Sequence, residues 1–241
     1  MAKNDNLTDY LTDLANAIRE KKGTSAPINA QDFASEIASI ESGGKVKRVS
    51  YLRRVNEGYI DTGVPGANDN LKIVVSYSAR KFPAGYWRFI SAYTNESTNT
   101  TRILLNSNTG ILGNINAVAT GGSITATTKG YVGLINTIIL EPASSTSFKL
   151  TTNGSSTTKA RVQGDALDKT ILIFPSSSDD VDVEIYGCEI YDGSTLIRNF
   201  IPSQHGGKFG LYDTITRQFY GNIGGGEFYG EVLEIGSRIY I

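Results

Sequence analysis

Apolar side chains recur at helical spacing through the first 44 residues, and from Lys45 onward that period gives way to short runs of Val, Ile, Thr, Tyr and Phe. The change of period fixes where the chain changes architecture. Leu7, Leu11, Leu14 and Ile18 stand four, three and four residues apart, which puts them on one stripe of an α-helix. Asn4, Asp5 and Asn6 offer cap side chains at its start, and Lys21, Lys22 and Gly23 supply cations and a left-handed stop at its end. A second helix is expected to open at Asn29, with Asp32 three residues later resembling a capping box and Phe33, Ile37 and Ile40 as its stripe, and to end at Gly43-Gly44.

A helical hairpin of this size has too little core to stand without a disulfide, metal or partner. Its stripes therefore require cover from sister subunits, another protein, or the rest of the chain. The flexible Gly43-Gly44 joint weighs against the last of these. Residues 1–44 are expected to form an attachment or oligomerisation segment acting through Leu7, Leu11, Leu14, Ile18, Phe33, Ile37 and Ile40, with residues 45–241 as a separate β domain.

That second part reads as about fourteen strands. They include Val46–Arg53, Tyr59–Thr62, Leu71–Ala79, Tyr86–Tyr93, Ser123–Thr128, Tyr131–Glu141, Lys159–Val162 and Thr195–Pro202, joined by turns such as Asn153-Gly154, Asp192-Gly193 and Gly206-Gly207. So many strands suit two packed antiparallel sheets. Across 181–185 apolar residues alternate with carboxylates, giving one buried and one wet face. Beyond it Tyr186, Cys188 and Ile190 continue in the opposite phase, with Gly187 at the switch, so a β-bulge is expected there and Cys188 is expected in the core.

A net charge of -1 gives no electrostatic footprint for nucleic acid or an anionic membrane, and neither is expected as a partner. A single cysteine excludes an intrachain disulfide. The polar start and the lack of a long apolar run imply neither a signal peptide nor a spanning helix, so synthesis and folding in a cytoplasm are expected.

Four segments resemble the laminin G-like, concanavalin A-like domain of bacteriophage head and tail appendages. They are the Tyr-Ile-Asp-Thr-Gly run at 59–63 with the strand at 71–75, the run from Val183 to Gly193, the run from Leu196 to Pro202, and the closing pair of Gly210-Leu211-Tyr212-Asp213 with Phe219-Tyr220-Gly221-Asn222. Separately, Leu7 to Ile40 is similar to the helical segment that precedes such modules, most closely at Ala17–Lys21 and Asp32–Ile37. The resemblance implies a mainly β, two-sheet jelly-roll sandwich after a helical hairpin. It also implies a structural protein at the virion surface, made in a bacterial host's cytoplasm: a fibre, decoration or tail appendage that contacts capsid or tail proteins, is homo-oligomeric, and meets the host surface or its glycans. A dedicated glycan-binding receptor-binding protein is the alternative.

Asp180, Asp182 and Glu184 alternate along one strand, as the E-x-D-x-E carboxylates of glycoside hydrolases on this fold do. Here the first position is the shorter Asp, which upsets the separation that retaining chemistry needs. The wet face of an amphipathic strand explains them better, and no catalytic residue, cofactor or metal is assigned. His205 has no second ligand nearby and reads as a turn residue. Asp61, Asp69, Asp179 and Asp213 are loop carboxylates without calcium-site spacing. The basic run Lys45, Lys47, Arg48, Arg53 and Arg54 reads as a solvated face. Sugar rings stack on aromatic side chains, which makes Tyr86, Trp87 and Tyr93 the candidate glycan contacts. Alternation puts Tyr86 on one face and Trp87 with Phe89 on the other, so only one set can face solvent.

Overall fold

The computed structural model describes residues 3–22, 27–34, 36, 46–55, 57–66, 68–82, 87–92, 101–106, 112–119, 122–161, 169–175 and 182–232. The chain divides into two units, Met1–Val46 and Lys47–Ile241.

In the first unit the apolar stripe forms one helix, α1 (Lys3–Lys22). Asn4, Asp5 and Asn6 lie inside its first turn rather than ahead of it, where an acidic side chain also suits the helix dipole. The expected second helix opens with a 3-10 turn, Ala30–Asp32, and is α-helical at Phe33, Ala34 and Glu36, but Asn29 makes no side-chain cap. Asp32 is one methylene shorter than the Glu of a capping box, and here the Asn29 amide donates instead to the Asp32 carboxylate at 3.3 Å. Ile37 and Ile40 lie outside the described residues. Ala15, Ile18 and Phe33 bury together, with Leu11, Leu14 and Ile28 packed against them. Of the stripe, Ile18 is thus buried within its own unit and Leu11 and Leu14 are partly buried. Leu7 and Tyr10, 59% and 63% exposed, are left open.

The second unit is made of β1 (Lys47–Arg48), β2 (Leu52–Val55), β3 (Ile60–Pro65), β4 (Leu71–Lys81), β5 (Trp87–Ala92), β6 (Arg102–Asn106), β7 (Leu112–Ala119), β8 (Gly122–Thr125) and β9 (Gly130–Tyr131). These are followed by β10 (Ile135–Ser144), β11 (Ser147–Thr152), β12 (Ser155–Ala160), β13 (Thr170–Ile173), β14 (Asp182–Asp192), β15 (Thr195–His205), β16 (Lys208–Asp213), β17 (Gln218–Tyr220) and β18 (Glu227–Tyr229). The large sheet runs β12-β11-β10-β4-β14-β15-β16-β17; β1 pairs with β15, and β2 lies between β14 and β18. The small sheet runs β3-β13-β5-β6-β7-β8, with β9 on β7. The architecture is therefore mainly β, two antiparallel sheets with a helix near the N-terminus.

The core lies between the sheets. Ile73, Val75, Tyr77, Ile185, Cys188 and Phe200 of the large sheet meet Trp87, Phe89, Ile103, Leu105, Ile171 and Ile173 of the small one. Burial pushes the Cys188 thiol up to about 12, so it stays a protonated core group. In β4 the inward set Leu71, Ile73, Val75, Tyr77 and Ala79 alternates with outward Lys72, Val74 and Ser76.

Opposite β4, β14 keeps Val183, Ile185, Cys188 and Ile190 inward because its register shifts between Ile185 and Gly187. That is the bulge expected at Gly187, and Tyr186 is the additional residue. The expected strand Tyr131–Glu141 is instead divided by a turn in which Gly133 takes a φ of 74°. Strand β7 was not expected at all, since Gly113, Asn114 and Asn116 interrupt any apolar alternation.

Candidate functional site

Residues directly opposite one another on antiparallel strands share a face of the sheet. In the large sheet Ser78 of β4 stands opposite Ile135 of β10 and opposite Glu184 of β14. Glu184 in turn faces Arg53 of β2, and Arg53 faces Tyr229 of β18. Ile135, Ser78, Glu184, Arg53 and Tyr229 therefore form one row across the outer face, directed away from the core. Four strand spacings of about 4.8 Å give it a length of about 19 Å. Its ends are open, with Ile135 63% and Tyr229 48% exposed, while Ser78 and Glu184 at the centre are 5% exposed.

The centre is a network of paired charges. Arg53 Nε and Nη2 donate to Asp182 Oδ1 and Oδ2 at 2.6 and 2.7 Å, a bidentate pair. Arg80 donates through Nε to Glu184 Oε1 at 2.9 Å, with Nη2 2.6 Å from the same oxygen. The bulge brings Tyr186 to this face, where its hydroxyl donates to Glu184 Oε2 at 3.0 Å and its ring meets that of Tyr51 edge-on at 6.3 Å. Burial, then the hydrogen bond to Glu184, push the Tyr186 hydroxyl up to about 12. The hydrogen bond that Arg80 donates to Glu184 likewise raises the Arg80 guanidinium.

Chemically this is a bed of fixed donors and acceptors. The two carboxylates proposed from sequence, Asp182 and Glu184, each accept from a guanidinium, which occupies lone pairs that general acid–base work would use. Asp180 lies outside the described residues. Farther along the same face, Glu141 pairs with Lys72 at 3.5 Å and Lys149 at 2.7 Å, and Lys72 sits over the Tyr191 ring at 5.1 Å. Here two ammonium groups share one carboxylate. Beside Tyr229 opens a cleft of about 540 Å³ lined by Lys208, Phe209, Asn222, Glu227 and Phe228.

Of the aromatic residues chosen from sequence, Trp87 is not part of this face. Trp87 is 1% exposed and packs on Phe89 and Phe174 at 5.9 and 6.0 Å, with the Arg54 guanidinium 5.7 Å from its ring. It cannot stack on a sugar, because alternation in β5 directs Trp87 and Phe89 into the core. Tyr86 and Tyr93 lie outside the described residues. The basic run is split: Arg53 pairs outward with Asp182 while Arg54 is buried. His205 ends β15 before the Gly206-Gly207 turn and its ring lies 5.3 Å from that of Phe219.

Of the four carboxylates expected in loops, Asp61 and Asp213 stand in β3 and β16, Asp69 lies in a turn and Asp179 lies outside the described residues; the first three are occupied within the chain. Asp61 accepts from the Gly63 amide at 2.9 Å and Asp69 pairs with Arg161 at 2.9 Å. Asp213, fully buried, accepts from the amides of Asn199 and Ile215 at 2.8 and 3.1 Å and from the Thr216 hydroxyl at 2.7 Å, with Arg198 Nε at 3.5 Å. Among the described residues no cluster of three or more His, Cys, Asp or Glu could hold a metal, and no helix is long and apolar enough to cross a membrane.

Sequence reasoning missed Ile135, Arg80 and Tyr229. The glycines at 130 and 133 were the available sign that Tyr131–Glu141 is not one strand. Nothing local marks Arg80 or Tyr229, whose roles come from strands distant in sequence.

No family model matches the chain, and no curated protein matches it in sequence. Among solved structures, a Bacteroides ovatus protein assigned to carbohydrate binding superposes with a TM-score of 0.51 at 10% identity, over 76% of this chain and 60% of that one. The chain thus spans about three fifths of that protein's length. The heptameric pentraxin of Limulus polyphemus gives a TM-score of 0.39 at 12% identity, over 61% of this chain and 75% of that one. The binding domain of botulinum neurotoxin serotype G gives 0.43 at 12% identity, over 61% of this chain and 42% of that one. The fold class is an antiparallel two-sheet β-sandwich, preceded by a small helical unit.

Proposed function

We propose that this protein is a non-enzymatic glycan-binding β-sandwich displayed on the surface of an assembled particle, a bacteriophage virion fibre, decoration or tail appendage. The observation that carries the binding reading is the outer-face row, where Arg53–Asp182 and Arg80–Glu184–Tyr186 hold planar donors and acceptors in fixed positions with no net charge. Sugar hydroxyls need such groups, and the order already imposed on the side chains lowers the entropic cost of binding. The Bacteroides protein on a comparable fold is itself assigned to carbohydrate binding. The jelly-roll strand order and the display on a virion rest on the motifs of the laminin G-like appendage domains. Anchoring to capsid or tail proteins and self-association are assigned to the N-terminal unit, where Leu7 and Tyr10 stand exposed.

Glycan-array binding of the full-length protein tests the site. Binding to at least one neutral oligosaccharide is expected, weakened at least about tenfold by Arg53→Gln, as removal of a charged hydrogen-bond donor implies. An array without a hit, or a hit indifferent to that substitution, refutes the site. Sedimentation of the full chain tests the assembly: an oligomer dissociated by Leu7→Asp is expected, and a monomer at micromolar concentration refutes it.

A further inference from the structure

Between β9 and β10 the chain turns through Tyr131, Val132, Gly133 and Leu134, and one buried side chain fixes that turn. Asn136, with no exposed surface, donates from Nδ2 to the carbonyls of Tyr131 and Leu134 at 2.9 and 2.8 Å. Its Oδ1 accepts from the Tyr131 amide at 2.9 Å and from Asn153 Nδ2 at 3.0 Å. Both donors and both acceptor positions of the amide are thus filled. Asn153 is held in turn, its Oδ1 accepting from the Thr137 amide at 2.9 Å, and the Gly133 amide donates to the Ala79 carbonyl at 2.9 Å.

None of these bonds uses the side chains of Tyr131, Leu134 or Ile135, which are 44%, 60% and 63% exposed. A turn anchored at this many points, yet presenting three large apolar side chains to solvent, has the character of a contact surface. Ile135 also terminates the row of hydrogen-bonding residues through its register with Ser78. A ligand lying along the row passes from polar groups onto an apolar ledge.

Resting on the glycan-binding reading, we propose that this ledge selects a sugar carrying a methyl group, either the C6 methyl of a 6-deoxyhexose or the methyl of an acetyl substituent. The partly exposed Arg80, Arg53 and Asp182 side chains take the hydroxyls, and Leu134 and Ile135 remove the methyl from water. Burying one such group favours the substituted sugar about four- to tenfold. A lipid surface would also meet the apolar side chains, but it has no use for the polar row in line with Ile135.

The test is titration of the full-length protein with oligosaccharides matched at all other positions: L-fucosyl against L-galactosyl, where CH3 replaces CH2OH, and N-acetylglucosaminyl against N-formylglucosaminyl, where CH3 replaces H. The same series is run on Leu134→Ser and Ile135→Thr, exposed positions where folding should be unaffected. Tighter binding of one methyl-bearing member by the stated factor is expected, and the substitutions should erase the preference while leaving affinity for the parent sugar unchanged. Equal binding of both members, or a preference that survives the substitutions, overturns this inference alone. If no oligosaccharide binds, the glycan reading falls with it. Binding to phosphatidylglycerol vesicles that is lost in Leu134→Ser, without sugar binding, assigns the ledge to lipid and overturns the proposal.

Discussion

Replacing Asp213 by Asn probes the best-connected buried charge of the β-sandwich. The Asp213 carboxylate is fully buried and accepts from the amides of Asn199, Ile215 and Thr216 and from the Thr216 hydroxyl, with the Arg198 guanidinium beside it. These donors approach both oxygens. An amide offers one oxygen and one NH2, so whichever way it turns at least two donors lose their acceptor, and Arg198 loses its counter-charge. Each unmade buried hydrogen bond costs about 1 to 3 kcal/mol, and breaking a buried ion pair about 3 to 5, so a destabilisation of about 3 to 5 kcal/mol is expected. With a urea slope of about 2 to 3 kcal/mol/M the unfolding midpoint should fall by roughly 1.5 M. Trp87 is the single tryptophan and is buried between the sheets, so its fluorescence reports on this unit. A midpoint moved by less than about 0.3 M, with an unchanged slope, would refute the reasoning.

Three further outcomes follow from the same geometry. Asn136→Ala removes four hydrogen bonds at a buried turn and should cost about 2 to 4 kcal/mol, read as a lower melting temperature, whereas Ile135→Thr at its exposed neighbour should leave it unchanged. Because the folded state holds the Tyr186 hydroxyl up to about 12, against 10.0 in the unfolded chain, its contribution is complete below pH 10 and lost between pH 10 and 12. Unfolding midpoints measured across that window should decline less steeply for Tyr186→Phe. Cys188, buried and with its thiol raised to about 12, should resist a thiol reagent at pH 8 until denaturant is added; rapid labelling of the folded protein would contradict its placement.

The features visible in the sequence were those encoded by local period. The spacing of Leu7, Leu11, Leu14 and Ile18 specifies α1, and the phase change around Gly187 specifies the bulge, because each depends only on neighbouring residues. The cap expected at Asn29 fails for a stereochemical reason: its amide donates to the Asp32 carboxylate instead of its oxygen accepting from a backbone amide. The outer-face row was hidden because it depends on strand pairing: Arg53 and Asp182 are 129 positions apart, and Arg80 and Glu184 are 104. Register across β10, β4, β14, β2 and β18 is decided by how the whole sheet closes on its core, which no window of sequence contains. Trp87 was misassigned for the opposite reason. An aromatic side chain suits a sugar and a core equally well, and the inward phase of β5 made the choice.

The additional residue in β14 has an unusual property. Were Tyr186 deleted, Gly187 would still stand opposite Ser76, and Val183, Ile185, Cys188 and Ile190 would all still point the same way. Elsewhere in a sheet, losing one residue turns every later side chain over to the wrong side. The interior has no need of position 186, which acts as an interchangeable socket: the chain can lengthen, shorten or swap the group mounted there, and retune its outward chemistry without disturbing the packing underneath.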